Sequence, residues 1–118
     1  MADPVLDPRR LDDLRALNSA EEPGLAAEVA RLFLMTARDG VSKLKDAFHR
    51  KDVKAIAAEA HRIKGSTGNV GAMTLHTICD EIEVEGRSGR LDPALLDRLV
   101  AEQARVEEAL RREFSLGR

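Results

Sequence analysis

The chain has 118 residues, a formal net charge of −2 at pH 7, and 34% charged but only 3% aromatic residues. The length fits one domain, and charges of both signs without a basic block or an aromatic platform argue against nucleic-acid binding. No apolar segment is long enough to span a bilayer, and the single cysteine, Cys79, cannot form an internal disulfide, so we expect a cytoplasmic protein without membrane contact.

Two Leu-Asp-Pro sequences, at 6–8 and 91–93, mark helix starts. An aspartate at the N-cap position accepts hydrogen bonds from backbone N–H groups of the first turn, and a proline in that turn has no N–H to leave unpaired. We therefore predict a first helix over 8–18 and a last helix over 93–115. Asp52 predicts in the same way that another helix begins directly after it.

Three helices are predicted between these two, from apolar residues that recur at helical spacing over 24–50, 53–67 and 72–86. Gly40 lies in the middle of the first of them and indicates a bend or an interruption. A loop is predicted over 68–71. Short connections between long amphipathic helices make neighbouring helices antiparallel. The sequence therefore predicts an all-α fold, an antiparallel up-down four-helix bundle with a short additional N-terminal helix.

The third predicted helix places His61 on a face with few large side chains. On a helical wheel, the residues within roughly 60° of His61 are Lys54, Ala57, Ala58, Lys64, Gly65 and Gly68. A glycine inside a helix costs up to about 1 kcal/mol relative to alanine, so Gly65 and Gly68 require an explanation. One explanation is that a partner protein approaches the ring closely here. For Gly68, the other is a C′ position just past the helix end, where glycine is common.

The segment 60–72 reads AHRIKGSTGNVGA, and the next predicted helix continues with Leu75, Cys79, Ile82 and Glu83. These residues resemble the histidine-containing phosphotransfer (HPt) domain of two-component phosphorelays. The family pattern is Ala-His-x-Leu-Lys-Gly-Ser, then a Gly-Ala pair and a Leu, Cys, Leu-Glu series. This chain departs from that pattern by conservative changes at Ile63, Thr67 and Ile82. The similarity extends over 32–58 and the final helix, so it covers most of the chain.

The resemblance implies a role for each residue that matches the pattern. His61 is expected to be the phosphorylated residue, Lys64 to neutralise the phosphoryl group, and Glu83 to hydrogen-bond the ring from the neighbouring helix. Histidine is mostly uncharged at pH 7, and an Nδ1–H bond to Glu83 would leave Nε2 as the nucleophile. A receiver domain is expected to dock on apolar surface of the neighbouring helices and on the surface formed by Ala57, Ala58, Gly65 and Gly68.

The predicted function is a phosphotransfer protein that accepts a phosphoryl group on His61 from a receiver-domain aspartate or a histidine kinase. It then passes the group to a receiver-domain aspartate. The implied partners are response-regulator receiver domains and a sensor or hybrid histidine kinase, with no bound cofactor and Mg²⁺ supplied by the receiver. Because no nucleotide-binding glycine motif is present, we expect no kinase or ATPase activity. The alternative is a helical adaptor that binds a receiver without phosphotransfer, although such a module needs no nucleophile.

A metal site is the other chemistry that the fourth predicted helix suggests. His76, Cys79 and Glu83 follow one another at steps of three and four residues. A structural zinc site needs a fourth protein ligand, and Cys79 also fits the apolar stripe of this helix. We therefore expect no metal site, and we expect His76 to be a surface residue.

We expect one domain over residues 1–118, with 1–6 and 116–118 as flexible tails. The initial methionine and the shortness of these tails favour a free-standing protein over a domain of a larger kinase. His61, Lys64 and Glu83 would complete a site within one chain, so the predicted mechanism does not require a dimer.

Overall fold

A computed structural model of the protein describes residues 5–117. Its elements are α1 (Pro8–Arg15), α2 (Leu25–His49), α3 (Val53–Thr67), a short 3₁₀ turn (Gly68–Val70), α4 (Met73–Arg87) and α5 (Pro93–Phe114). Each of the four long helices packs on the next along the chain, and α5 closes the bundle by packing on α2. The described residues contain no β-strand, and the predicted four-helix bundle with a short N-terminal helix is confirmed.

Aspartate side chains begin three of the helices, as their sequence positions predict. Asp7, Asp52 and Asp92 each accept a hydrogen bond from a backbone N–H of the first turn, at 3.0, 3.1 and 3.0 Å respectively. These bonds pair N–H groups that have no partner within the helix, which contributes about 0.5–2 kcal/mol at each helix start. The start of each of these helices is therefore set by a local signal.

The first helix ends at Arg15, three residues before its predicted end at Asn18. The side chain of Asn18 accepts a hydrogen bond of 2.8 Å from the backbone N–H of Ala26, in the first turn of α2. Because Asn18 pairs with the next helix, the chain leaves the α1 axis before it reaches this residue. The other predicted helix ends differ from the observed ones by at most two residues.

Gly40 does not interrupt α2, which continues from Leu25 to His49, so of the two predicted alternatives the interruption is wrong. Gly40 is buried, and a Cβ atom at this position would lie 2.7 Å from Cγ1 of Ile63 on α3. Two carbon atoms cannot approach so closely without displacement. The glycine is therefore explained by the close packing of α3 on α2.

The core of the bundle is aliphatic and includes side chains from both ends of the chain. Leu6 is 5% exposed and Leu116 is 9% exposed, so these two residues of the predicted tails are part of the core. Burial of a leucine side chain stabilises the folded state by about 1.5–3 kcal/mol, which favours an ordered chain at both ends. Residues 1–4 and 118 of the predicted tails lie outside the described residues. Within residues 5–117, no helix is long and apolar enough to cross a membrane.

Gly71 joins the start of α1 to the turn between α3 and α4. Its carbonyl accepts a hydrogen bond of 2.8 Å from the backbone N–H of Asp7. Its φ of +75° lies in the left-handed region, and a Cβ atom would lie 2.8 Å from Cβ of Arg10 and 3.1 Å from backbone atoms of Asp7. Conformation and packing therefore both require glycine here, within the loop predicted over 68–71.

We predict that Gly71→Ala lowers the free energy of unfolding by about 2–4 kcal/mol, because it combines left-handed backbone strain with a clash against α1. Gly89→Ala is the matched control, since Gly89 has the same φ of +75° and a Cβ atom added there would meet no atom within 4 Å. The control should lose only about 1 kcal/mol of its free energy of unfolding, because it has the backbone strain without the clash. Urea denaturation measures both values, and equal losses would contradict the packing of α1 on Gly71.

Candidate functional site

His61 lies on the outer face of α3, and its side chain is 63% exposed. The opposite face of this helix is buried and carries Ile56, Ala60, Ile63 and Thr67. The helical register that buries these side chains directs the imidazole ring away from the core. The ring is therefore accessible to another protein.

Glu83 on α4 holds the ring of His61 from the side. Its side chain is only 3% exposed, and Oε2 lies 2.9 Å from Nδ1 of His61. An ionised carboxylate can only accept hydrogen bonds, so Nδ1 must carry the proton of this bond. In the neutral ring, Nε2 is then the nitrogen with the free lone pair.

Two cations keep the buried carboxylate of Glu83 ionised. Nζ of Lys64 lies 2.6 Å from Oε1, and the guanidinium of Arg87, one turn along α4, contacts Oε2. Hydrogen bonding to Lys64 is the largest cause of a lowered pKa of Glu83, and the charges of Arg87 and His61 act in the same direction, against the effect of burial. At pH 7 the group is therefore an anion that accepts the Nδ1–H bond of the ring.

Lys64 lies one helical turn from His61, as predicted, but the structure also attaches it to α4. Besides its contact with Glu83, it donates a hydrogen bond of 3.1 Å to Oδ1 of Asp80. Hydrogen bonds to these two carboxylates raise the pKa of Lys64 above its ordinary value, so it is a cation at pH 7.

Asp80 and Arg87 are site residues that the sequence interpretation missed. They precede and follow Glu83 by three and four residues, a spacing that places all three on one side of α4. That spacing was the available signal. It did not show that this side of α4 faces His61, because the packing of α4 on α3 decides which side is turned towards the ring.

Gly65 and Gly68 are not explained by packing within residues 5–117. A Cβ atom at either position would have no atom within 4 Å. Gly68 has a φ of −64°, in the ordinary right-handed region, so the C′ explanation for this glycine is wrong. The left-handed residue of this turn is Gly71. Both glycines therefore clear space on the outside of α3.

Ala57 and Ala58 differ in exposure, although both were predicted on the outer face. Ala58 is exposed, whereas Ala57 is only 8% exposed. A Cβ atom on Gly86 of α4 would lie 3.2 Å from Cβ of Ala57, so the absence of a side chain there lets α4 cover this alanine. The prediction of an exposed Ala57 is therefore wrong.

The three residues considered as metal ligands have other surroundings. His76 is half-buried rather than a surface residue, and its Nδ1 lies 3.0 Å from Oγ1 of Thr67, across the α3–α4 contact. Cys79 is buried, and burial raises the pKa of its thiol to about 12, so the thiolate that a metal binds is disfavoured. Glu83 binds the ring and the two cations. Within residues 5–117, no three or more His, Cys, Asp or Glu side chains are grouped to hold a metal ion.

Comparisons with known proteins agree with this architecture. The family model of the Hpt domain matches residues 28–112. Histidine-containing phosphotransfer protein B from Pseudomonas aeruginosa PAO1 has a solved structure with a TM-score of 0.87 and 28% identity, covering 99% of this chain and 100% of that chain. The HPT domain from the Hpt sensor hybrid histidine kinase from Shewanella shares the fold, with a TM-score of 0.73, 22% identity and 94% of each chain covered. No curated protein matches the chain.

We predict that Glu83→Gln changes how stability depends on pH. Because folding lowers the pKa of Glu83 below its ordinary value of 4.5, the ionised group stabilises the folded state above that pH. This contribution is lost as the pH falls through the lowered value. In urea denaturation from about pH 6 to about pH 3, the wild type should therefore lose stability more steeply than Glu83→Gln. The exposed Glu21→Gln is the control and should follow the wild type, whereas parallel curves for wild type and Glu83→Gln would contradict the prediction.

Proposed function

This chain belongs to the Hpt domain family and is a histidine phosphotransfer protein of a two-component phosphorelay, and we propose that His61 carries the phosphoryl group. The observation that supports this choice is the bond from the exposed ring of His61 to the buried carboxylate of Glu83. Among residues 5–117, the other two histidines lack such a contact. His49 is exposed at the end of α2, and His76 is half-buried against a threonine hydroxyl.

In the proposed step, Nε2 of His61 attacks the phosphorus atom of an aspartyl phosphate on the partner. The N–P bond forms while the bond between phosphorus and the aspartate oxygen breaks, and that electron pair stays on the aspartate carboxylate. The Nδ1–H proton remains in its bond to Glu83. The ring gains positive charge, which the adjacent anion stabilises. Attack by another aspartate carboxylate on the phosphorus reverses these changes and releases the phosphoryl group.

Lys64 is proposed to neutralise the transferred phosphoryl group, since its ammonium group is held one turn from the ring. The two carboxylates nearest to it, Asp80 and Glu83, already bind Lys64 and are poorly placed to hold a divalent cation. We therefore assign Mg²⁺ to the receiver domain, together with the reacting aspartate. This chain then contributes the nucleophile, its orientation and a positive charge.

The proposed docking face for the receiver consists of the exposed outer side of α3 and adjoining apolar surface. A Cβ atom at Gly65 or Gly68 would meet no atom of the described residues, so the surface is open at both positions. On the neighbouring α2, Leu32 and Met35 are 63% and 68% exposed and stand three residues apart on the helix, and grouped exposed apolar side chains are typical of interaction surfaces. Asp39 of α2 pairs with Arg62 of α3. Leu32 and Met35 precede Asp39 on α2, which runs antiparallel to α3. These two apolar residues therefore lie towards the Gly68 end of α3.

The partners follow from this proposal in more detail. A sensor or hybrid histidine kinase would supply the phosphoryl group, directly or through its receiver domain, and response-regulator receivers would exchange it with His61. Such an exchange requires a modest, transient interface, because the carrier must be released after each transfer. We propose the cytoplasm as the location of this exchange.

We predict that a receiver domain carrying radiolabelled aspartyl phosphate and Mg²⁺ transfers label to the wild type and not to His61→Gln. His49→Gln is the matched control and should accept label like the wild type, because His49 is also exposed but has no carboxylate partner in the described chain. The labelled bond should be lost in acid and survive alkali, as a phosphohistidine does. If receivers that bind the chain transfer no label, the adaptor function replaces the carrier function.

We predict that substitutions at Gly65 separate stability from transfer. Gly65→Ala should raise the free energy of unfolding by about 0.5–1 kcal/mol, because alanine is the better helix former and meets no atom here. Gly65→Gln should also fold but slow transfer from the receiver by at least about tenfold, a loss of about 1.4 kcal/mol, because its longer side chain obstructs docking. Ala101→Gln on the exposed side of α5 is the control for adding a glutamine side chain to an exposed helix surface. A wild-type transfer rate for Gly65→Gln would contradict the docking role.

A further inference from the structure

A groove begins at His61 and runs between the first half of α3 and the last turn of α4. Its volume is about 590 Å³, and its lining includes the small residues Ala57, Ala58, Gly86 and Gly89. A hollow of this size beside an exposed histidine is large enough to take side chains of another molecule. The groove also continues the face on which a receiver is proposed to dock.

The groove exists because small residues bring α3 and α4 together without filling the surface above them. A Cβ atom on Gly86 would lie 3.1 Å from the carbonyl oxygen of Val53, so the two helices are in backbone contact there. Next to this contact, Ala58 is exposed and extends only to Cβ. The result is an apolar floor that no side chain of the described residues covers.

The edges of the groove are positively charged. Lys54 and Arg87 line it together with His61, and no acidic residue of the described chain is among its lining. Arg87 is paired with the buried Glu83, but Lys54 is exposed and has no acidic partner within ion-pair distance among residues 5–117. An apolar floor with an unpaired cation at its edge is complementary to an apolar side chain accompanied by a carboxylate.

We propose that the groove receives an apolar side chain of the receiver domain, beside which a carboxylate of that domain pairs with Lys54. The inference rests on the proposed function, since a receiver that brings its aspartate to Nε2 of His61 also covers the opening of this groove. An apolar anchor in a small pocket with a polar edge is the arrangement that dominates binding energy in many interfaces. The groove would therefore select among receiver domains.

A second groove provides matched control positions away from His61. It lies between α2 and α5, has a volume of about 310 Å³, and is lined by residues that include Lys45 and Ala104, both exposed. The test compares Ala58→Leu with Ala104→Leu, and Lys54→Glu with Lys45→Glu. Each pair makes the same chemical change in the two grooves, at positions whose exposure allows the variant to fold.

The experiment titrates each variant with the receiver domain that transfers label to the wild type most rapidly, held in its activated form with beryllium fluoride and Mg²⁺. Ala58→Leu and Lys54→Glu should each weaken binding by at least about tenfold, while the two controls stay within about twofold of the wild type. Added salt should weaken wild-type binding more than binding by Lys54→Glu, because that variant lacks the charge pair.

Phosphoramidate, a small phosphoryl donor that needs no docking surface, distinguishes the two proposals. It should phosphorylate both groove variants as it does the wild type, whereas His61→Gln should accept no phosphoryl group from either donor. Wild-type affinity in both groove variants would overturn the groove proposal and leave His61 as the carrier. The groove proposal would also be overturned if all four variants weakened receiver binding equally, or if Ala58→Leu lost phosphoramidate labelling.

Discussion

The buried carboxylate of Glu83 is the constraint on which the arrangement of the site depends. An ionised carboxylate removed from water is stable only if charges and hydrogen bonds replace its hydration, and here His61, Lys64 and Arg87 do so. Because these partners come from both α3 and α4, the contacts of one buried anion link the two helices at the site. The same contacts determine which ring nitrogen of His61 is free.

Close contact between α3 and its neighbours determines both the core and the surface of the site. Gly40 brings α2 onto α3, and Gly86 brings α4 onto α3, so the helix that carries His61 is held on two sides at short distance. A Cβ atom added at Gly65 or Gly68, in contrast, would meet no atom of the described chain. Glycine thus permits close helix packing at two positions and leaves the surface open at two others, where a receiver is proposed to dock, and local sequence does not distinguish these cases.

The fold and the candidate site were predictable to different extents. Helix starts at Asp7, Asp52 and Asp92 follow from side-chain bonds within a few residues, so the sequence determines them locally. The resemblance carried by residues 60–72 led to His61, Lys64 and Glu83. Errors arose where a distant part of the chain decided the outcome. Asn18 accepts a hydrogen bond from the first turn of the following helix, and Leu6 and Leu116 are part of the core.

The sequence alone determined the fold class, the helix starts and the histidine on the outer face of α3, because helical spacing and capping act over one or two turns. Only the tertiary structure decided that Asp80 and Arg87 join the site, that Gly86 covers Ala57, and that an apolar groove with a positive edge adjoins the ring. These features depend on the distance and rotation of α4 relative to α3. Packing over the whole bundle sets both quantities, and the pattern within either helix does not contain them.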